Sequence, residues 1–420
     1  MSYAPGKEFD MFNMKEAEAR RNDSRLAIIV VIILLLITAG LSWYLSVGTL
    51  LRDNWVEIAA TEYERGDGTE ESPYVIGTAA QLAKLALDTN NGVNTEGVYY
   101  SLANDITLSG HYWIPIGISH PFAGNFDGHG NSITNYTVDA IRGGQSYGLF
   151  GTVTGKVEDL VINDAKVKVR YNGARSTYQP KDRIYVGAFA GRFCGVADDI
   201  KVTGEVTVSN AENAVIGSFA GQITEADINY VRTNVTVKNN RNSGKTILGG
   251  LSGDVSGNLK LTKTSVRFKT SHEDSEKGGS TECGAIFGNA SNLLLNMSNC
   301  SFITGFDTDG NDMKFGGFAC EYDSLLAGSE LKKVFIKACD SDKSKYWALM
   351  EPDESDKFAD TVLASFGWYT DNTTFYNAVT GEEVAIDSAK EAQNYFKKTM
   401  EFGFKRTWKK SGSANYPVLR

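Results

Sequence analysis

The chain has 420 residues and a formal charge of −9, from 42 Lys+Arg against 51 Asp+Glu. Apolar residues at 42% and aromatics at 11% exclude wholesale disorder. The acid excess speaks against nucleic acid as the main partner, which calls for a basic face. Gly stands at 43 and Pro at only 7, a pairing that suggests turns or close backbone approaches within regular structure.

Residues 1–25 are charged and carry no recognisable motif; a short helix is expected over 12–25. Residues 26–51 contain no charged side chain, and their centre is a run of Ile, Val and Leu. About 20 apolar residues cross a bilayer as a helix, so the pattern predicts a transmembrane signal-anchor. Trp43 and Tyr44 lie toward its far end, where amphipathic rings favour the interface. Lys7, Lys15, Arg20, Arg21 and Arg25 precede the span, which places residues 1–25 in the cytoplasm and the rest of the chain outside the cell. A cleaved signal peptide is the rival reading, but its apolar core runs only ~7–15 residues. Either reading exports the same domain. A linker is expected over 52–66, and Thr78-x-x-Gln81 opens the apolar run Leu82, Leu85 and Ala86 as a capping box and short helix, taken as an N-terminal lid.

Further on, one glycine phrase returns six times. It ends at Gly151, Gly191, Gly221, Gly253, Gly288 and Cys320, at intervals of 40, 30, 32, 35 and 32 residues. A period in this range marks a repeat architecture. Two positions before the last residue stand Leu149, Phe189, Phe219, Leu251, Ile286 and Phe318; one position after it stand Thr152, Arg192, Gln222, Asp254, Asn289 and Glu321. Apolar, Gly, polar, apolar has period two, so each phrase reads as one β-strand with an inner ladder and an outer polar column facing water. Glycine at an inward position indicates that a side chain would crowd the turn or the next coil. A second strand (for example 157–162, 197–202) and a third (166–169, 205–208, 234–237) follow each phrase. Three strands per ~30–40 residues, with no helix between, predict an all-β parallel β-solenoid over 67–340 with short capping helices. An antiparallel sandwich also has short strands, but it does not need one phrase to return in register.

These phrases, beginning with Gly148-Leu149-Phe150-Gly151, resemble the GLUG motif of bacterial cell-surface repeat proteins. The opening segment is similar to the start of many such domains: Gly68 to Ile76, Thr78 to Leu82, Tyr100 to Leu108, Trp113 to Gly117, and Phe122 to Gly130 with Ile133. Trp408 and Asn415 to Leu419 resemble their usual end. The likeness covers about residues 66–340 plus the tail. It implies a right-handed parallel β-helix on a bacterial surface, often in adhesins, and no catalytic residues. Copies five and six depart from it at Phe287 and Cys320. Residues 341–420 are expected to cap the solenoid, with a helix near 388–402 opened by Ser388-x-x-Glu391.

Chemistry-bearing motifs are few. His111, His120, His129 and His272 lack metal-ligand spacing, and no phosphate loop occurs; no cofactor or metal is expected. Asp127 reads as a turn residue. Glu158-Asp159 and Asp198-Asp199 alternate across a strand, so neither forms a simple carboxylate pair. The five Cys, at 194, 283, 300, 320 and 339, read mostly as free thiols. Asn135-Tyr136-Thr137 and Asn234-Val235-Thr236 match the sequon, which matters only in a glycosylating host. The expected function is a membrane-anchored, non-catalytic extracellular protein that uses a solenoid as spacer and binding face for glycan or protein. Tyr99, Tyr100, Trp113 and Tyr136 are the candidate binding aromatics. A β-helix polysaccharide lyase or hydrolase is the alternative, with Arg192, Asp254 and Glu321 as the only placeable side chains; a tethered subunit of an envelope complex is the third reading.

Overall fold

The computed structural model describes residues 53–140, 145–170, 183–240, 244–273, 279–306, 313–322, 325–326 and 328–340. It also describes five later strands: Val362–Tyr369, Thr374–Asn377, Glu383–Ala385, Trp408–Lys410 and Pro417–Leu419. The expected membrane stem at 26–51 and the expected helix at 388–402 lie outside the described residues. Among the described residues no helix is long and apolar enough to cross a membrane.

Residues from Asn54 onward form one unit, built as a parallel β-solenoid. Each coil begins with a short strand in a six-stranded parallel sheet: Ser146–Tyr147, Ile184–Gly187, Asn213–Gly217, Lys245–Gly249, Ser280–Gly284 and Met313–Gly316. The glycine phrase comes next. It is not a single strand, as its period-two pattern suggests, but the corner between two sheets: one strand ends at Gly187, Ala188 and Phe189 turn, and Ala190–Phe193 opens the next. The backbone N–H of Phe189 donates to Phe219, Phe219 to Leu251, Leu251 to Ile286 and Ile286 to Phe318, so the corners lie directly above one another.

After the corner the chain runs through a second, large sheet. Its second run (Phe150–Val153, Ala190–Phe193 and their successors) leads into long strands such as Lys156–Arg170 and Val196–Ser209. In Lys156–Arg170, Val196–Ser209 and Phe287–Phe306 the two later expected strands are continuous, whereas Ala220–Asn229 and Ser252–Thr262 end just before a left-handed bend residue that these coils share. That residue is Asp159, Asp199, Tyr230, Lys263, Asn299 or Lys333, and all six have positive φ between 45° and 58°. The flanking registers put all six in one column. A left-handed residue breaks the in–out alternation: Val157 is buried, then Leu160 and Ile162. We call the stretch before this bend the third run and the stretch after it the fourth.

The pairings between consecutive coils are parallel, which removes the sandwich alternative. The opening segment already belongs to the stack. Tyr74–Ile76 pairs with Tyr99–Leu102, which pairs with Asn125–Asp127, which pairs with Lys156–Glu158 of the first long strand. Beyond residue 340 the parallel stack continues: Val362–Tyr369 pairs in parallel with Glu330–Asp340, and only then do two antiparallel strands follow.

The core is one continuous cluster along this unit. Leu149, Phe189, Phe219, Leu251, Ile286 and Phe318 are all fully buried. An aromatic row runs through it: Tyr74 to Tyr100 (5.8 Å between centroids), Tyr100 to Phe122 (5.8 Å), Phe122 to Phe150 (5.6 Å), Phe150 to Phe189 (5.4 Å) and Phe189 to Phe219, stacked at 4.5 Å. Helix α1, Ala79–Asn90, starts at the predicted capping box: Thr78 Oγ1 accepts from Gln81 N, and Gln81 Oε1 accepts from Thr78 N. Its face of Leu82, Ala83, Leu85 and Ala86 is fully buried in the same core.

Candidate functional site

Three of the four candidate binding aromatics are core residues, a correction to the sequence reading. Tyr100, Trp113 and Tyr136 are at most 4% exposed, and only Tyr99 is half-buried. Their polar tips explain why a large amphipathic ring suits the inside. Trp113 Nε1 donates to the carbonyl of Leu149 at 2.9 Å, and the Tyr136 hydroxyl donates to the carbonyl of Ala188. Both bonds tie the opening segment to phrase corners. Burial pushes the Tyr136 phenol well above its ordinary value, so it remains a donor.

The repeat glycines mark where the two sheets touch. A Cβ on Gly191 would lie 2.5 Å from Ser146 Cα, and one on Gly253 would lie 2.6 Å from Ile216 N, both in the six-stranded sheet. Gly151, Gly221 and Gly288 face backbone at similarly short range. This contact creates a polar seam on the outside. The column Thr152, Arg192, Gln222, Asp254, Asn289 and Glu321 is in register, but most of it is half-buried rather than facing water. The six-stranded sheet stands against it with Tyr185, Val215 and Ile247, a small apolar cluster separate from the main core.

Side chains bridge the seam in order along the axis. The Arg192 guanidinium lies over the Tyr185 ring, 4.2 Å from its centroid. The Asp254 carboxylate accepts from Gln222 Nε2 (3.3 Å) and Asn289 Nδ2 (3.0 Å), and Arg183 approaches it at 3.6 Å. At the next rungs Lys245 Nζ sits between Glu282 (2.7 Å) and Glu321 (3.3 Å), and Lys314 reaches Glu321 at 3.7 Å. The Glu282 side chain is 6% exposed. Burial opposes the charge of Lys245, but Glu282 and then Glu321 outweigh it and raise its pKa. Burial likewise raises Glu321, but Lys245 prevails and holds the carboxyl below its ordinary range. Of the three candidate side chains of the enzyme reading, Asp254 and Glu321 are thus engaged in separate networks, and Arg192 is stacked on an aromatic ring.

Elsewhere the histidines engage different partners. His111 packs edge-on against Trp55, His120 Nδ1 bonds the carbonyl of Asn90, and His129 Nδ1 lies 3.2 Å from Asp127. Asp127 Oδ1 also accepts from the backbone N–H of His129, a turn bond. Asp127, Glu158 and Asp198 stack in register on the third run, where alternation along one strand gave no hint of a cluster. Burial, then the charges of Asp127, Asp199, Glu158 and Asp198, raise the pKa of Asp159. Among the described residues no group of three or more His, Cys, Asp or Glu is arranged to hold a metal ion. Cys194, Cys283, Cys300 and Cys320 carry free thiols. Burial pushes Cys300 and Cys320 up to about 12 and Cys283 well above its ordinary value, which keeps them protonated.

No family model matches the chain. It is 29% identical over 232 residues to Halomucin of Haloquadratum walsbyi, covering 52% of this chain and 2% of that protein. It is 32% identical over 146 residues to a "Putative Gly-rich membrane protein" of Evansella cellulosilytica, covering 33% of this chain and 15% of that protein. The chain therefore spans a small fraction of the length of either relative. A crystal structure of a "putative immunoglobulin A1 protease" from Bacteroides ovatus aligns with 85% of this chain and 95% of its own, at 20% identity and a TM-score of 0.48.

Proposed function

We propose that the chain is a membrane-anchored surface protein of the GLUG-motif kind, non-catalytic, whose solenoid serves as a rigid spacer and a binding face. The observation that carries this reading is the uninterrupted parallel register from Tyr74 to Tyr369. Each coil rests on the previous one through a shared core, so side chains repeat along a long outer wall at the strand spacing of ~4.8 Å. Such a wall suits additive contacts to an extended ligand. The charge-free stretch 26–51 supports the anchor, and the name of the Evansella relative agrees with a membrane location. The ion-paired or hydrogen-bonded state of Asp254 and Glu321 supports the absence of catalysis.

Two measurements test this on the full chain. Protease accessibility on intact cells should report the solenoid outside the membrane; a protected solenoid sinks the location. Glycan and matrix-protein arrays, run beside polysaccharide depolymerisation assays, should give binding without turnover. Turnover lost on Glu321→Gln would replace the spacer reading by the enzyme alternative.

A further inference from the structure

The fourth run carries a concentration of cations that the chain's overall acidity conceals. Its inward positions are apolar: Val167, Val206, Val235, Val237 and Phe268 are buried. Its outward positions over four successive coils include Lys166, Lys168 and Arg170, then Lys201, then Arg232 and Lys238, then Arg267 and Lys269. Register aligns them. Lys166 shares a column with Glu205, Thr236 and Lys269; Lys168 with Thr207, Lys238 and Ser271; Lys201 stands directly beside Arg232. Three of the eight cations are matched: Arg170 by Asp139 (2.7 Å), Lys238 by Glu205 (2.7 Å) and Arg232 by Asp199 (3.6 Å). Lys166, Lys168, Lys201, Arg267 and Lys269 are exposed, and no carboxylate among the described residues forms an ion pair with them. In a chain of net charge −9 this face is basic.

Folding does not explain the pattern. Like charges on facing strand positions are destabilising, and Lys201 faces Arg232. Residues two apart on a strand lie ~6.6 Å from each other, so Lys166 with Lys168, and Arg267 with Lys269, stand within one Debye length of ~8 Å. The two pairs lie three coils apart, ~14 Å along the axis. Between them the outward residues are Thr203, Thr207, Asn234 and Thr236, short side chains that hydrogen-bond without charge, together with Glu205 and Lys238, which neutralise each other at 2.7 Å. No large apolar side chain is exposed there, since the described ones that are exposed, Ile58, Val93, Val196 and Leu326, lie elsewhere. The bordering aromatic, Tyr230, has Lys263 and Arg232 near its ring at 5.6 and 5.9 Å.

We propose that this face binds an extended acidic polysaccharide, its carboxylates over the two cation pairs and Lys201, its hydroxyls over the Thr and Asn residues between. The proposal rests on the surface-binding reading above and names the ligand class and the wall. The chemistry separates this partner from other polyanions. Single-stranded nucleic acid needs a row of stacking rings, and a membrane surface favours an apolar insertion beside the charges; the face offers neither.

The test uses the full chain and polygalacturonate, with dextran, a single-stranded oligonucleotide and phosphatidylglycerol vesicles as comparisons. Polygalacturonate should bind saturably, weaken with salt, and exceed all three. Replacing Lys166, Lys168, Arg267 and Lys269 together by Ser should weaken binding by about tenfold or more at low salt, because counterion release scales with the number of cations engaged. Removing Lys156, Lys260, Lys314 and Lys332, four cations away from this face, should leave it within about twofold on the same counting. Should the quadruple variant fail to fold, Lys168→Gln with Lys269→Gln takes its place. Unchanged affinity in the face variant, equal loss in both, absence of polygalacturonate binding, or tighter binding of the oligonucleotide or vesicles would overturn the proposal. Protease accessibility and array binding to other ligands stand as separate readouts of the spacer reading.

Discussion

At the scale of the residue, backbone conformation is more demanding than side-chain chemistry. The bend column needs a left-handed residue in every coil, which costs an ordinary side chain ~1–2 kcal/mol and suits Asn or Asp. Asp159, Asp199 and Asn299 meet that need, whereas Tyr230, Lys263 and Lys333 do not. Lys263→Asn should therefore stabilise the protein by roughly 0.5–1.5 kcal/mol, the left-handed relief less a cation–π loss to Tyr230 of about 0.5 kcal/mol. Denaturant unfolding at neutral pH measures it, and a loss of stability would refute the strain argument. Asp159 allows a pH test. Its carboxyl is raised above 3.8 by burial and by four neighbouring acids, so its ionisation weakens the folded state. Asp159→Asn keeps a residue tolerant of the bend and should raise Tm at pH 7. The gain should vanish as pH falls through the raised value, where the native carboxyl is already protonated. A gain that persists at low pH would point to something other than charge.

At the scale of the element, corners and caps decide which strands form. The phrase corner brings two sheets into backbone contact, so Gly253→Ala forces a Cβ to 2.6 Å from Ile216 N. A loss of about 1–3 kcal/mol is expected, as for other overpacked sites, measured as a shift in denaturation midpoint. Helix α1 depends on its capping box. Thr78→Ala removes the acceptor for Gln81 N and should cost about 1 kcal/mol; hydrogen exchange in 79–83 should speed up first. The capping box was legible in the sequence because it is purely local. The corner was not. Gly187 to Phe193 alternates like one strand, and only a second sheet crossing close to Gly191 shows that the chain turns there. The same limit hid the charge ladder: Glu158 and Asp198 are 40 residues apart, and their adjacency is a matter of register.

At the scale of the whole solenoid, each coil touches only its neighbours, so stability propagates along one dimension. Phe219 stacks on Phe189 at 4.5 Å and is fully buried midway along the stack. Phe219→Ala should cost about 3–5 kcal/mol. In a one-dimensional stack that loss should also split the unfolding transition, with faster amide exchange at the coils of Phe189 and Leu251 than at the coil of Tyr100. A uniform change along the chain would argue for a single cooperative block. Three of the four acids around Asp159, namely Glu158, Asp198 and Asp199, share the strands Lys156–Arg170 and Val196–Ser209 with four of the eight cations, Lys166, Lys168, Arg170 and Lys201. Net charge averages the two faces away, and the coil geometry sorts them apart.

By itself the sequence determined that the chain stacks in a repeating all-β coil, because period and alternation are properties of neighbours along the chain. It also determined which residues form the inner ladder, since burial follows the same period. The tertiary structure alone decided that Tyr100, Trp113 and Tyr136 point inward, that the outer polar column is half covered, and that lysines far apart in number share a face. Those are facts of register between strands some 30–40 residues apart, and no local pattern encodes which side chains that register brings together.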